Sequence, residues 1–241
     1  MYVQRVRPIV IGEDPRNPCA QCDVRHRSVC NAIDDPDLAR LSAIAVHREY
    51  EKGQVFVEEG QPATDFYNVT GGTVKLFKML SDGRQQITGF AGVGHFLGLA
   101  VSATYAFSAQ AIAPVRVCRF SREQLRRLLV DFPALERRLL KTACNELATA
   151  QEQMLLLGRK TAQERVASFL MARSELATPC GAGASRIPLP RGEIADYLGL
   201  TIETVSRTLS RFKTEGRVAL PSNGELIILD RPWLQQLATG G

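Results

Sequence analysis

No run of apolar residues in this 241-residue chain is long enough to cross a bilayer. The opening residues, MYVQRVRPIVIGEDPRNPC, lack an apolar core followed by a small-residue cleavage site. Neither a membrane partner nor export is expected, and the chain is read as cytoplasmic. In that reducing compartment six cysteines are too few for a disulfide framework, so a cluster among them points to metal or redox chemistry. The constellations of an enzyme are also missing: there is no nucleophile with a base, no carboxylate pair and no phosphate-binding glycine loop, and no enzyme is expected. The excess of one charge sign over the other is small. The net charge is +5, and residues 159–241 hold eleven Lys and Arg against eight Asp and Glu, which permits an acidic partner without demanding one. The three histidines, His26, His47 and His95, show no pairing that suggests a metal site. No internal repeat or low-complexity tract appears.

What is present reads as a folded protein of two domains, with 45% apolar and 23% charged residues. DPDLARLSAIAVHREY, residues 35–50, suggests a short amphipathic helix with Leu38, Leu41 and Ile44 at helical spacing. From Glu51 to Phe120 the period changes. Short β-rich runs (QVFVEE, FYNVTG, TVKLFKML, QQITGF, VRVCRF) are separated by glycine turns, as a small antiparallel barrel or jelly roll requires. A long helix is then expected from Pro133 to Gly158. Its Leu140, Ala143, Leu147, Ala150, Met154 and Leu157 alternate spacings of three and four, which draws one apolar seam. That seam suits packing on the barrel or a parallel coiled coil with a second copy.

The C-terminal stretch LPRGEIADYLGLTIETVSRTLSRFKTEG reads as a helix-turn-helix. A first helix over Arg191–Leu198 places Ile194, Ala195 and Leu198 on one face, Gly199 makes the turn, and Thr201 caps a second helix to about Thr214. Val205, Leu209 and Phe212 point inward by spacing, leaving Glu203, Ser206, Arg207, Ser210 and Arg211 outward. Those types suit readout of double-stranded DNA: Arg207 can donate twice to guanine, Glu203 can accept from a cytosine amino group, and Ser206 can meet a neighbouring base. Lys213, Arg211 and Arg217 are expected towards phosphates. A strand pair around RVAL and ELIIL completes the chain's C-terminal part.

Over nearly its whole length the chain resembles the CRP/FNR superfamily of bacterial transcription regulators. Glu203, Ser206 and Arg207 are similar to the E-x-x-S-R of the FNR branch, and QQITGF (85–90) and FSAQA (107–111) resemble the same branch. The resemblance implies an α+β protein with an antiparallel β-roll (jelly-roll) sensor domain, a long dimerisation helix and a winged helix-turn-helix. The implied domains are an N-terminal cysteine segment at 1–34, the β-roll at 35–132, the dimerisation helix at 133–158 and the DNA-binding domain at 159–241. It also implies a homodimer on inverted-repeat DNA with TTGAT-like half-sites, Ile202 favouring TTGA. Where the cyclic-AMP branch carries an Arg for the phosphate and a Glu for the ribose, this chain reads GLA (98–100) and AFSAQ (106–110), so no cyclic nucleotide is expected.

Cys19, Cys22 and Cys30 form C-x2-C-x7-C, looser than the paired cysteines of a zinc ribbon. In the FNR family three N-terminal cysteines and a distant fourth hold an oxygen-labile [4Fe-4S] cluster, and Cys118 matches the fourth position. By resemblance, then, Cys19, Cys22, Cys30 and Cys118 are cluster ligands of an oxygen-responsive regulator. A regulator that uses zinc, or thiols that cycle through disulfides, is the alternative. His26 is the outside candidate for a ligand, and Cys144 and Cys180 are read as unligated. The hairpin tip Ser81–Gln85 borders a segment that resembles a surface contacting RNA polymerase in the FNR branch; a solvated Asp-Gly turn is the alternative reading. In oxygen-sensing relatives the seam carries a carboxylate near Ala150, whereas here it is apolar throughout.

Overall fold

The computed structural model describes residues 17–99, 102–176, 179–180, 184–185, 190–221 and 226–240. They pack as two units, the first from residues up to 79 together with 88–147, the second from 80–87 together with 148 onward. The division falls inside the long helix rather than at either of its ends.

The first unit opens with tight turns over residues 17–37 and helix α1 (Leu38–Ile44), whose Leu38 and Leu41 are buried. Here the sequence pattern is corrected. The helix ends at Ile44, and Ala45–Tyr50 is strand β1, which pairs antiparallel with the last strand over all six of its residues. The helical spacing of apolar residues stops at Ile44, and the ladder satisfies the backbone groups beyond it. Strands β2 (Val55–Val57), β3 (Asp65–Gly71), β4 (Val74–Met79), β5 (Gln85–Ala91), β6 (Phe96–Leu97), β7 (Ser108–Ala111) and β8 (Val115–Ser121) complete the roll. They form two four-stranded sheets, β1-β8-β3-β6 and β2-β7-β4-β5. The five β-rich runs are β2, β3, β4, β5 and β8. The β-rich reading passed over β1, the two-residue β6 and β7, whose Ser-Ala-Gln-Ala has no β-forming bias.

Strand parity divides the side chains of the first sheet between two cores. On β3, Tyr67 and Val69 enter the core between the sheets, as do Val115 and Val117 on β8. Phe66, Cys118 and Phe120 belong to a second core on the outer face, covered by Cys19, Val29, Ile33, Leu38 and Leu41 from the N-terminal segment and by Leu125 and Leu128 of α2 (Arg122–Asp131). Successive strand residues face opposite ways, so one sheet serves both. The outer core also takes Leu135 and Leu139 from the start of α3 (Pro133–Arg159). Gly94 lets the β5–β6 loop close on the N-terminal segment: its φ is +93°, and a Cβ there would stand 2.5 Å from the Arg27 carbonyl oxygen.

In the second unit, α3 continues into α4 (Ala162–Leu176), the two-residue strands β9 (Pro179–Cys180) and β10 (Ala184–Ser185), α5 (Arg191–Leu198), α6 (Ile202–Thr214), the pair β11 (Val218–Ala219) and β12 (Ile227–Ile228), and α7 (Arg231–Thr239). Arg165 ties these parts together by donating to the carbonyls of Lys160, Leu157 and Leu198.

Candidate cysteine pocket and nucleic-acid interface

The segment carrying three of the cysteines is a run of tight turns. Cys22 N–H donates to the Cys19 carbonyl, Arg25 to Cys22, Ser28 to Arg25 and Ile33 to Cys30. Ser28 Oγ accepts from Cys30 N–H at 3.2 Å, and Arg25 donates to the Ile33 carbonyl at 2.6 Å and to Asp35. The C-x2-C spacing thus becomes one closed turn, which turns two thiols the same way. Cys118 comes from β8 beneath.

All four, Cys19, Cys22, Cys30 and Cys118, line one pocket of about 80 Å³. A single water needs only about 10–15 Å³ of such volume, so there is room for a polyatomic group. Burial pushes the Cys19 thiol up, opposed by a hydrogen bond from Ser42, with Cys22 adding to the rise. Burial pushes Cys30 up to about 11, and Cys19 and Cys22 add to it. Cys118 is raised furthest, by burial first and then by the other three cysteines. Burial thus favours the neutral form of Cys19, Cys30 and Cys118, and each feels the neighbouring cysteines. Among the described residues no three His, Cys, Asp or Glu converge tightly enough to clasp one metal ion. The four cysteines share the lining of one pocket. Arg116 and Arg25, the latter already paired with Asp35, also line the pocket.

Sequence reasoning missed two neighbours. His47 on β1 and Asn68 on β3 lie directly across from Cys118, and both line the pocket. Desolvation holds His47 below its ordinary pKa. His26, the outside candidate, is exposed and does not line the pocket. The parity of VRVCRF was the available signal: with Val115 and Val117 inward, Cys118 must face outward. Cys144 is exposed on α3, while the side chain of Cys180 and all of Ala100 lie outside the described residues.

At the other end of the chain α5 stops at Gly199, whose φ of +60° makes the turn, and Thr201 Oγ1 accepts from Thr204 N–H at 3.2 Å to cap α6. Val205, Thr208, Leu209 and Phe212 are buried. Glu203, Arg207, Ser210, Arg211 and Lys213 are exposed, with Ser206 half-buried and reached by Arg191. The free backbone N–H at the start of α6 and the Thr201 hydroxyl hold the Glu203 carboxyl below its usual range, with Arg207 adding to the effect. Arg211 pairs with Glu215 at 2.7 Å. One expectation is corrected: Arg217 is not a free cation. It pairs with Asp230, stacks 4.9 Å over the Trp233 ring, and accepts on its carbonyl from Leu229 and Asp230 N–H, while Trp233 packs edge-on against Phe212 at 5.2 Å. Arg217 clamps the strand pair to α7.

Along α3, Leu140, Leu147 and Met154 are 64, 60 and 64% exposed, Ala143 and Ala150 are exposed too, and Leu157 is half-buried. In a single chain the seam from Leu140 to Met154 is uncovered.

The family described as "Cyclic nucleotide-binding domain" matches residues 47–132, and that described as "Crp-like helix-turn-helix domain" matches 164–237. The chain is 38% identical to the nitrogen fixation regulation protein FixK of Bradyrhizobium diazoefficiens, over 97% of this chain and 99% of that one. It is 37% identical to the transcriptional activator protein FnrL of Cereibacter sphaeroides, covering 88% of each. The solved structure of FixK2 from Bradyrhizobium japonicum superposes with a TM-score of 0.75 at 36% identity, covering 80% of this chain and 97% of that one. With a β-roll, a capped helix-turn-helix and these relatives in place, the chain belongs to the CRP/FNR family of DNA-binding transcription regulators, in its FNR branch.

Proposed function

We propose that this regulator responds to oxygen through a [4Fe-4S] cluster held by Cys19, Cys22, Cys30 and Cys118, and that with the cluster intact it binds TTGAT-like inverted repeats as a homodimer, regulating genes of low-oxygen metabolism. The observation that carries the reading is the convergence of four cysteines on one pocket from a turn-rich segment and a distant strand. A tetrahedral zinc site needs sulfurs about 3.8 Å apart around one ion. Four thiols lining one pocket with room for a polyatomic group suit a cubane, in which each binds a different iron. When bound, such a cluster supplies lability towards dioxygen. The protein's part is to release four thiol protons on loading and to tie residues 19–30 to β8. The apolar seam of α3 supplies the dimer face, Arg207 and Glu203 read bases, and the Ser81–Gln85 tip meets RNA polymerase. The sequence carries no charged residue at 98–100 or 106–110 to pair with a cyclic nucleotide.

Anaerobic purification tests the reading. Brown protein holding four irons and four sulfides per chain, bleaching in air, is expected, with Cys118→Ser colourless. Colourless wild-type protein with stoichiometric zinc would replace this reading with the zinc alternative.

A further inference from the structure

Asn68 of β3 and His47 of β1 flank Cys118 of β8, one on each side. Directly opposed residues of antiparallel strands point to the same face, so the three form a row across the pocket floor. Asn68 is 2% exposed, and its Oδ1 is buried without a hydrogen-bond partner. A carboxamide in that state works against folding, and leucine, of similar volume, would fill the place without an orphaned polar atom. The side chain is therefore explained by what the pocket receives rather than by packing. The two ends of a carboxamide exchange by rotation, so the guest decides which end faces it. An anionic sulfur accepts hydrogen bonds and donates none, which selects the N–H end.

We infer that Asn68 is a positioning residue of the cysteine centre, donating from Nδ2 to the Cys118 thiolate or to a sulfide bound beside it, and that this bond slows loss of the centre in air. The inference rests on the cluster reading above. Hydrogen bonds to sulfur favour the more reduced, more negative state, so removing a donor lowers the potential and makes electron loss to dioxygen easier.

The test uses the full chain, wild type and Asn68→Leu, loaded anaerobically with iron and sulfide. Equal loading is expected, with a lower midpoint potential for the variant and bleaching in air about tenfold faster, the scale of one lost charge-assisted hydrogen bond. The metal-free variant should melt higher than metal-free wild type, because the orphaned carboxamide is gone. Asn68→Thr keeps a donor and should bleach at close to the wild-type rate. Equal loading with unchanged potential and bleaching in Asn68→Leu overturns this inference and leaves the cluster reading standing. Fast bleaching in the Thr and Leu variants alike overturns the donor role in favour of packing. Wild-type protein that takes up no iron and sulfide overturns the cluster reading, and this one with it. Should the Leu variant not fold, the comparison of Asn68→Thr with Asn68→Ala decides by the same criteria.

Discussion

Replacing Leu147 with alanine measures the seam of α3 directly. Leu147 is 60% exposed in the single chain. The change removes three carbons worth about 0.8 kcal/mol each when fully buried, so about 1.4 kcal/mol per chain is at stake in covering the exposed share. If two copies meet along this seam, both present the residue to the same twofold axis. The dimer should therefore lose about 3 kcal/mol, roughly a hundredfold in Kd. Folding of each chain should hardly change, because that surface is already wet before association. Sedimentation velocity over a concentration series, with thermal unfolding as the control, separates the two effects. An unchanged dimer Kd would show that the copies do not meet along this seam, and a lowered melting temperature in the monomer would show that Leu147 packs within its own chain.

Other substitutions address the two ends of the protein. Arg207→Ala should cost about 1–3 kcal/mol per half-site and relax the preference at the guanine, read by competition binding against single-base variants of the site. Lys213→Ala should instead weaken all sequences alike and flatten the salt dependence of binding. Arg217→Ala should lower thermal stability by about 1–2 kcal/mol through loss of its stacking on Trp233 and leave the salt slope unchanged, the opposite signature to Lys213. Cys118→Ser should abolish specific DNA binding yet sediment as a dimer, since the seam lacks an opposing charge; adding Ala150→Asp should then drive it to monomer, because two unpaired carboxylates would meet in a low-dielectric seam.

The helix-turn-helix was legible because its determinants are local. Thr201, Gly199 and the spacing of Val205, Leu209 and Phe212 lie within a dozen or so residues, and each acts through backbone geometry or helical period. Arg217 was misread for the complementary reason. Its partners Asp230 and Trp233 lie beyond the strand pair, and nothing in the residue type separates a guanidinium that faces phosphate from one that stacks on an indole. His47 and Asn68 were illegible for the same cause on a larger scale. Both gain their place beside Cys118 from ladders between strands far apart in the chain, and the extension of a helical reading through Tyr50 put His47 on the wrong kind of element altogether. The alternation in VRVCRF was local and did carry information: it fixes which face Cys118 occupies, though not what covers that face.

That covering layer links the pocket to the long helix. Val29 and Cys30 pack in the same outer core as Phe96 and Phe120 of the roll, Leu125 of α2, and Leu135 and Leu139 at the root of α3. The contacts of the segment between Cys19 and Cys30 include its own turns, this core, the Ser42 hydrogen bond to Cys19, the Gly94 approach to Arg27 and the Arg25 contacts with Ile33 and Asp35. A group that bonds the segment to Cys118 adds a cross-link at the centre of that layer, and its loss returns the layer to turns and side-chain packing alone. Leu135 and Leu139 lie on the helix ahead of Leu140, the first residue of the exposed seam. Ordering at the cysteines therefore bears on the position of the helix root more directly than on the apolar content of the seam, which is the same in either state. On the cluster reading proposed above, such a switch acts by aiming the helix, and cysteine variants that sediment as monomers would overturn it.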